Sequence, residues 1–129
     1  MSRGAKTVTF YRKGLGSRGE EEAVAYLSGL GYQIMTRNYR CRLGELDIIA
    51  KDQQGVLVFV EVRSRAGHSH GLPEESINYR KQNKLRMLAQ QYLLTHPKLK
   101  EAPCRFDVVA VEFTPNGEKK DIRHIKNAF

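Results

Sequence analysis

A mixed β-sheet flanked by helices, in the element order α-β-β-β-α-β-β, is the α/β architecture that the chain predicts. Three observations carry this expectation. An apolar series of helical period comes first, a block of short runs rich in β-branched and aromatic residues follows, and a second helical series separates that block from two further strand-like runs. The 129 residues fit one core, with no room for a second.

Residues 1–16 carry Arg3, Lys6, Arg12 and Lys13 among three glycines without a sustained apolar period, so a flexible basic arm is expected there. A single domain should then occupy residues 17–129. Ser17 and Glu20 have capping-box spacing, and Ala23, Val24, Leu27 and Leu30 repeat with helical period up to Gly31, a natural C′ residue. Tyr32 to Arg40 and Glu45 to Lys51 read as strands joined by a turn at Leu43-Gly44, and Val56 to Ser64 is the strongest strand signal. From Pro73 to Pro97 the pattern is helical, in one or two pieces, with Ile77, Leu85, Leu88, Ala89 and Tyr92 on one face. Arg105 to Phe113 alternates as a buried strand, Pro115-Asn116-Gly117 turns the chain, and Asp121 to Lys126 can return as an edge strand.

Composition narrows the partners. Lys and Arg number 22 against 14 Asp and Glu, and the resulting formal charge of +8 favours a polyanion such as nucleic acid. The longest clean apolar run, Val56 to Val60, is far below the roughly 20 residues of a membrane-spanning helix, so no membrane partner is expected. Val8 to Tyr11 is too short for the apolar region of a secretory signal. Cys41 and Cys104 cannot build a disulfide framework and lack metal-ligand spacing, which points to a reducing, cytoplasmic setting.

Chemistry concentrates in one hairpin. A three-residue loop, Gln53-Gln54-Gly55, ending in a left-handed glycine would pair Asp52 with Val56, and counting back sets Asp47 opposite Glu61. Two carboxylates about 5 Å apart repel by on the order of 3 kcal/mol at an effective dielectric near 20. A hard divalent cation, Mg²⁺ or Mn²⁺, would relieve that repulsion; a one-residue slip would instead send the carboxylates to opposite faces. Glu20 lies on the apolar arc of the first helix, either as the capping-box residue or as a third carboxylate of the site. Lys81 lies within the arc of Leu85, Leu88 and Tyr92, where it could reach the site or bury its stem and extend to water. Arg63 shares a strand face with Glu61, as an anion-binding partner or as an ordinary cross-strand ion pair. Glu45 shares a face with Asp47, as an outer ligand or as a partner for Arg40 or Arg42.

Phosphate contacts are expected from Arg40, Arg42, Arg80 and Lys84, within two basic runs that also contain Arg37 and Arg86. Tyr39 could stack on a base or fill the core. His68 and His70 form an H-x-H pair in a glycine-flanked loop without other metal ligands nearby.

Gly19-Glu20 opening a helix, Arg37-Asn38-Tyr39-Arg40, Gly44-Glu45-Leu46-Asp47, Phe59-Val60-Glu61-Val62-Arg63, Lys81-Gln82 and Arg105-Phe106-Asp107 together resemble the YraN family of bacterial proteins. The resemblance runs in order from about Gly14 to Phe129. It implies a restriction-endonuclease-like core, similar to archaeal Holliday-junction resolvases, and a metal-dependent phosphodiesterase activity. By the same resemblance Glu20, Asp47 and Glu61 take the acidic metal positions, and Arg63 stands where an E-x-K motif has lysine. Lys81 is then the candidate to supply an amine from the facing helix. Two functions follow as expectations: a Mg²⁺- or Mn²⁺-dependent endonuclease acting on DNA, including branched or junction DNA, or a nucleic-acid-binding module that has lost efficient cleavage. Cutting opposed strands of a junction would call for a C₂ homodimer.

Overall fold

Hydrophobic side chains gather into two clusters, one on each face of a five-stranded sheet, and each cluster is closed by one helix. The computed structural model describes residues 15–66 and 77–129. Its elements are α1 (Leu15–Gly29), β1 (Gln33–Cys41), β2 (Gly44–Lys51), β3 (Leu57–Ala66), α2 (Tyr79–Leu94), a 3₁₀ turn (Pro97–Leu99), β4 (Cys104–Phe113) and β5 (Lys119–Ile125). This is the expected α/β order, with a mixed sheet between two helices, and it is consistent with a restriction-endonuclease-like core. Strands lie in the order β1-β2-β3-β4-β5; only β3 and β4 run parallel, because the chain between them crosses over through α2.

Ala23 and Leu27 of α1 pack on Ile48, Ala50, Val58 and Val60, while Leu85, Leu88, Ala89 and Tyr92 of α2 pack on Ile49, Leu57 and Phe59. Alternation along β2 and β3 thus fills both faces, as the near-continuous apolar run in β3 requires. Tyr39 fills the core on the α2 side, edge-on to Tyr92 with ring centroids 5.3 Å apart.

Several boundaries differ from the sequence expectation. Helix α1 already contains Leu15 and Gly16, which were assigned to the basic arm; residues 1–14 of that arm lie outside the described residues. Ser17 is therefore inside the helix, and the capping box with Glu20 is not formed. At the other end Gly31 is the left-handed C′ residue, with φ +89°, and the Gly31 and Tyr32 amides donate to the Ser28 and Leu27 carbonyls at 3.0 Å each. Leu30 follows the helix and is 42% exposed rather than continuing the apolar arc. Helix α2 starts after Asn78, whose side chain accepts from the Lys81 amide, so Ile77 precedes the helix. Pro73, where helical character was expected to begin, and His68 and His70 lie outside the described residues.

Gly19 sets how closely α1 approaches the sheet. A Cβ at this position would lie 1.7 Å from Ser64 Oγ and 2.9 Å from Ser64 Cβ, on β3. Only glycine permits that approach without displacing one element.

Candidate metal and phosphate site

The β2–β3 hairpin is built as its turn chemistry requires. Gly55 has φ +86°, the Asp52 amide donates to the Val56 carbonyl at 2.9 Å, and the Asp52 carboxylate accepts from the Gln54 and Val56 amides at 2.9 Å each. Pairing then runs from Lys51↔Leu57 to Ile48↔Val60, the register that leads to Asp47 and Glu61. The ladder stops there. In place of a further backbone pair, Asp47 Oδ2 accepts the Val62 amide at 2.8 Å. Leu46 and Ile49 pack in the same cluster although three residues apart, so the pleat of β2 is broken around Asp47. On the other side, Asn38 of β1 has φ +52° between the pairs Arg37↔Ile48 and Tyr39↔Leu46. The sheet opens at the one carboxylate that both neighbouring strands approach.

Asp47 and Glu61 interact strongly. Burial pushes the Asp47 carboxyl up to about 7, with the Glu61 carboxylate the second cause; Glu20 and Glu45 add to the rise, and the Val62 amide opposes it. Glu61 is buried, its side chain 8% exposed, and its Oε2 lies 3.5 Å from Arg63 Nε and 3.6 Å from Lys81 Nζ. Lys81 thus reaches the site from α2. Arg63 Nε is buried and makes no hydrogen bond among the described residues, which leaves a donor without an acceptor beside Glu61.

Glu20 and Glu45 adjoin this pair. The Asn38 amide, oriented with its nitrogen toward the carboxylates, donates to Glu20 Oε1 at 3.0 Å and to Glu45 Oε2 at 3.1 Å. Burial raises the Glu20 pKa, and Glu45 raises it further, while Asn38, Arg37 and Arg40 act against the shift. Arg40 Nε also donates to Glu45 Oε2 at 2.8 Å. Sequence reasoning offered Glu45 as an outer ligand beside Asp47 or as a partner for Arg40 or Arg42, of which Arg40 is the one found, and missed Asn38; the available signal was an asparagine, tolerant of the left-handed region, inside a run otherwise suited to a strand.

The donor set matches a hard divalent cation in kind. It offers carboxylate oxygens of Asp47 and Glu61 that act on one another, and Mg²⁺ is commonly held by one or two carboxylates and waters. Among the described residues no group of three or more His, Cys, Asp or Glu side chains is gathered closely enough to hold a metal, and Glu20 is tied to Asn38.

Of the four expected phosphate contacts, Arg40, Arg42, Arg80 and Lys84 are all exposed. Lys84 lies over Gly44, where an added Cβ would meet its Cε at 3.2 Å, so the basic run of α2 and the β1–β2 turn that carries Arg42 form one surface. Arg40 belongs to the opposite strand of that hairpin and is engaged with Glu45. Among the described residues no helix is long and apolar enough to cross a membrane.

A pH effect follows from Asp47. Its folded pKa lies above the ordinary carboxylate value, so the folded state binds the extra proton and stability declines as pH rises from about 4 through about 7. Glu20 acts in the same sense. The metal-free protein should therefore melt several degrees higher at pH 5 than at pH 8, and Asp47→Asn should flatten that slope; an unchanged slope in the variant would remove Asp47 as its source.

A solved structure of SfsA from Pyrococcus furiosus in complex with Ca²⁺ aligns with 83% of this chain and 58% of that one, at 16% identity and a TM-score of 0.30, a likeness too loose to bear on fold or function. Sequence relatives are far nearer. A UPF0102 protein of Desulforamulus reducens is 61% identical over 121 residues, covering 94% of this chain and 99% of the relative. One from Pelotomaculum thermopropionicum is 52% identical over 118 residues, covering 92% and 97%. The profile of the uncharacterised protein family UPF0102 matches residues 19–111, which include every carboxylate of the cleft together with Arg63 and Lys81. The chain belongs to the UPF0102 family, the YraN-like proteins that its motifs resemble.

Proposed function

We propose that the protein is a Mg²⁺- or Mn²⁺-dependent endonuclease of the restriction-endonuclease-like superfamily that acts on DNA phosphodiester bonds, branched or junction DNA included. The observation that carries this reading is the meeting of Asp47 and Glu61 at the opening of the sheet, with Arg63 and Lys81 both within 3.6 Å of Glu61. Asp47 and Glu61 would hold the cation, and Glu20 would complete or order the site. A bound divalent cation supplies Lewis acidity, which lowers the pKa of water and offsets charge on the leaving oxygen.

The chain's own groups do the rest. Arg63, ion-paired with Glu61 through its Nε at 3.5 Å and permanently protonated, would stabilise charge on the phosphate without acting as a base. Lys81, partly exposed on α2, offers an ammonium that can turn from Glu61 to the phosphate. Arg42, Arg80 and Lys84 would position the backbone of the nucleic acid, with Arg40 at the margin. On a junction, two such sites on opposed strands require a C₂ homodimer.

A second reading has a specific observation behind it. Arg63 stands where lysine is expected, and Glu61 already has two cationic partners, an arrangement that suits a nucleic-acid-binding module with weak or no cleavage. Affinity measured over a salt series on branched, duplex and single-stranded DNA, with and without Mn²⁺, separates the two. Salt-dependent binding with Mn²⁺-dependent cleavage supports the endonuclease, the same binding without cleavage supports the module, and absence of salt-dependent binding removes both.

A further inference from the structure

We propose that Asn38 is a positioning residue: its one side-chain amide clamps Glu20 of α1 to Glu45 of β2 and holds that pair of carboxylates beside Asp47. The proposal deepens the reading of the Asp47–Glu61 cleft as a cation site and rests on it for the consequence, though not for the geometry.

Three features of the molecule support the clamp. Asn38 has φ +52° within a strand, a left-handed conformation that departs from the strand around it and persists where the surroundings hold it. The two amide hydrogens have separate acceptors on two elements distant in sequence, Glu20 Oε1 at 3.0 Å and Glu45 Oε2 at 3.1 Å. Asn38 also falls between the β1–β2 pairs Arg37↔Ile48 and Tyr39↔Leu46, which sets it across the strand gap from Asp47. The left-handed turn of the backbone is what directs a short side chain at β1 toward the end of α1.

The chemistry of an amide matters here. Two carboxylates drawn together without donors would separate, and the usual remedy, a lysine or arginine, would cancel the negative charge that a cation needs. An amide offers two N–H groups and no net charge. It therefore draws Glu20 and Glu45 together without adding to the positive charge that Arg40 already brings to Glu45 Oε2 at 2.8 Å.

The substitution that isolates the clamp is Asn38→Gly, because glycine accepts the positive φ and removes only the amide. With Mn²⁺ alone as the probe, followed by thermal shift, Asn38→Gly should leave the metal-free melting temperature within a few degrees of the parent and weaken Mn²⁺ binding by about tenfold, the order seen when an outer partner of a ligand is lost. In a Glu20→Gln background the same change should have little further effect, since the clamped carboxylate is already gone. Unchanged Mn²⁺ affinity in Asn38→Gly, or effects of the two changes that multiply independently, would overturn the proposal.

A second measurement stands apart from metal binding. The Asn38 side-chain NH₂ resonances of the parent should move in Glu20→Gln and again in Glu45→Gln, one proton responding to each. If neither variant moves them, the clamp does not exist, whatever the protein does with Mn²⁺; if they move while the parent shows no Mn²⁺ response, the clamp stands and the cation reading fails.

Discussion

Replacing Asp107 by alanine should cost about 3–5 kcal/mol of stability, the usual penalty for removing one partner from a buried ionic group. Asp107 is fully buried on β4 and accepts from Arg105 Nε at 3.0 and 3.2 Å and from the Asn127 amide at 2.9 Å, with His124 Nε2 2.7 Å from its Oδ2. Burial alone would raise its pKa, but the donors from His124, Arg105 and Asn127 outweigh it and hold the carboxyl below the ordinary range. Arg105 in turn donates to Asp52 Oδ2 at 2.7 Å and to Tyr32 Oη at 2.6 Å, tying the β2–β3 turn and the C-terminal flank of α1 to the same centre. Without Asp107 the guanidinium keeps Asp52 but loses half of its compensation. Urea unfolding of Asp107→Ala measures the loss; a change below about 1 kcal/mol would mean that water or Asp52 replaces the missing carboxylate. Because Asp107 and Asp52 both have lowered pKa values, their contribution is present above about pH 4 and lost as pH falls below it.

Asp47→Asn should do the reverse to stability and far more to activity. Asparagine keeps an oxygen for the Val62 amide and removes the charge that Glu61 repels, so the metal-free protein should become more stable near neutral pH. The same change removes a proposed cation ligand. Loss of mere outer partners of a metal costs about 10–100-fold, so cleavage should fall by about a hundredfold or more and the Mn²⁺-induced rise in melting temperature should disappear. An undiminished Mn²⁺ response in Asp47→Asn would detach the cation from this cleft. Together, rising stability and falling activity would mark the carboxylate as one kept at a cost to the fold.

Much of this was legible in the residues, for identifiable reasons. The β2–β3 register followed from Gly55 and the turn length, so Asp47 and Glu61 could be brought together by counting. Helical period set Lys81 on the sheet-facing arc but left open whether it reached the site or water, and Gly31 was marked by its fitness for the left-handed cap. What failed was what depends on neighbours far away in the chain. Ser17-x-x-Glu20 has the spacing of a capping box, yet the helix already contains Leu15, which packs against the core two residues before Ser17. Leu30 kept the apolar period but fell past the cap. Asn38 was invisible as a link because its partners come from α1 and β2, and the Asp52–Arg105–Asp107–His124 network was invisible for the same reason: no local pattern announces contacts that span up to 98 residues, as that of Tyr26 with His124 does.

The lone parallel ladder has a bearing on how the molecule assembles. Residues 33–66 and 104–125 are each a meander of neighbouring antiparallel strands, and they are joined edge to edge only by the ten pairs from Leu57↔Cys104 to Ala66↔Phe113. Local hairpins close small loops quickly, whereas this seam must close one of more than forty residues before any of its hydrogen bonds is gained. Docking of the two halves is thus expected to be the slow, late event of folding, and a destabilising change at the seam should slow refolding more than one within either hairpin. Until it occurs, the strand bearing Glu61 and Arg63 is an open edge, so newly made chains are most prone to aggregate at the very segment on which the proposed chemistry depends.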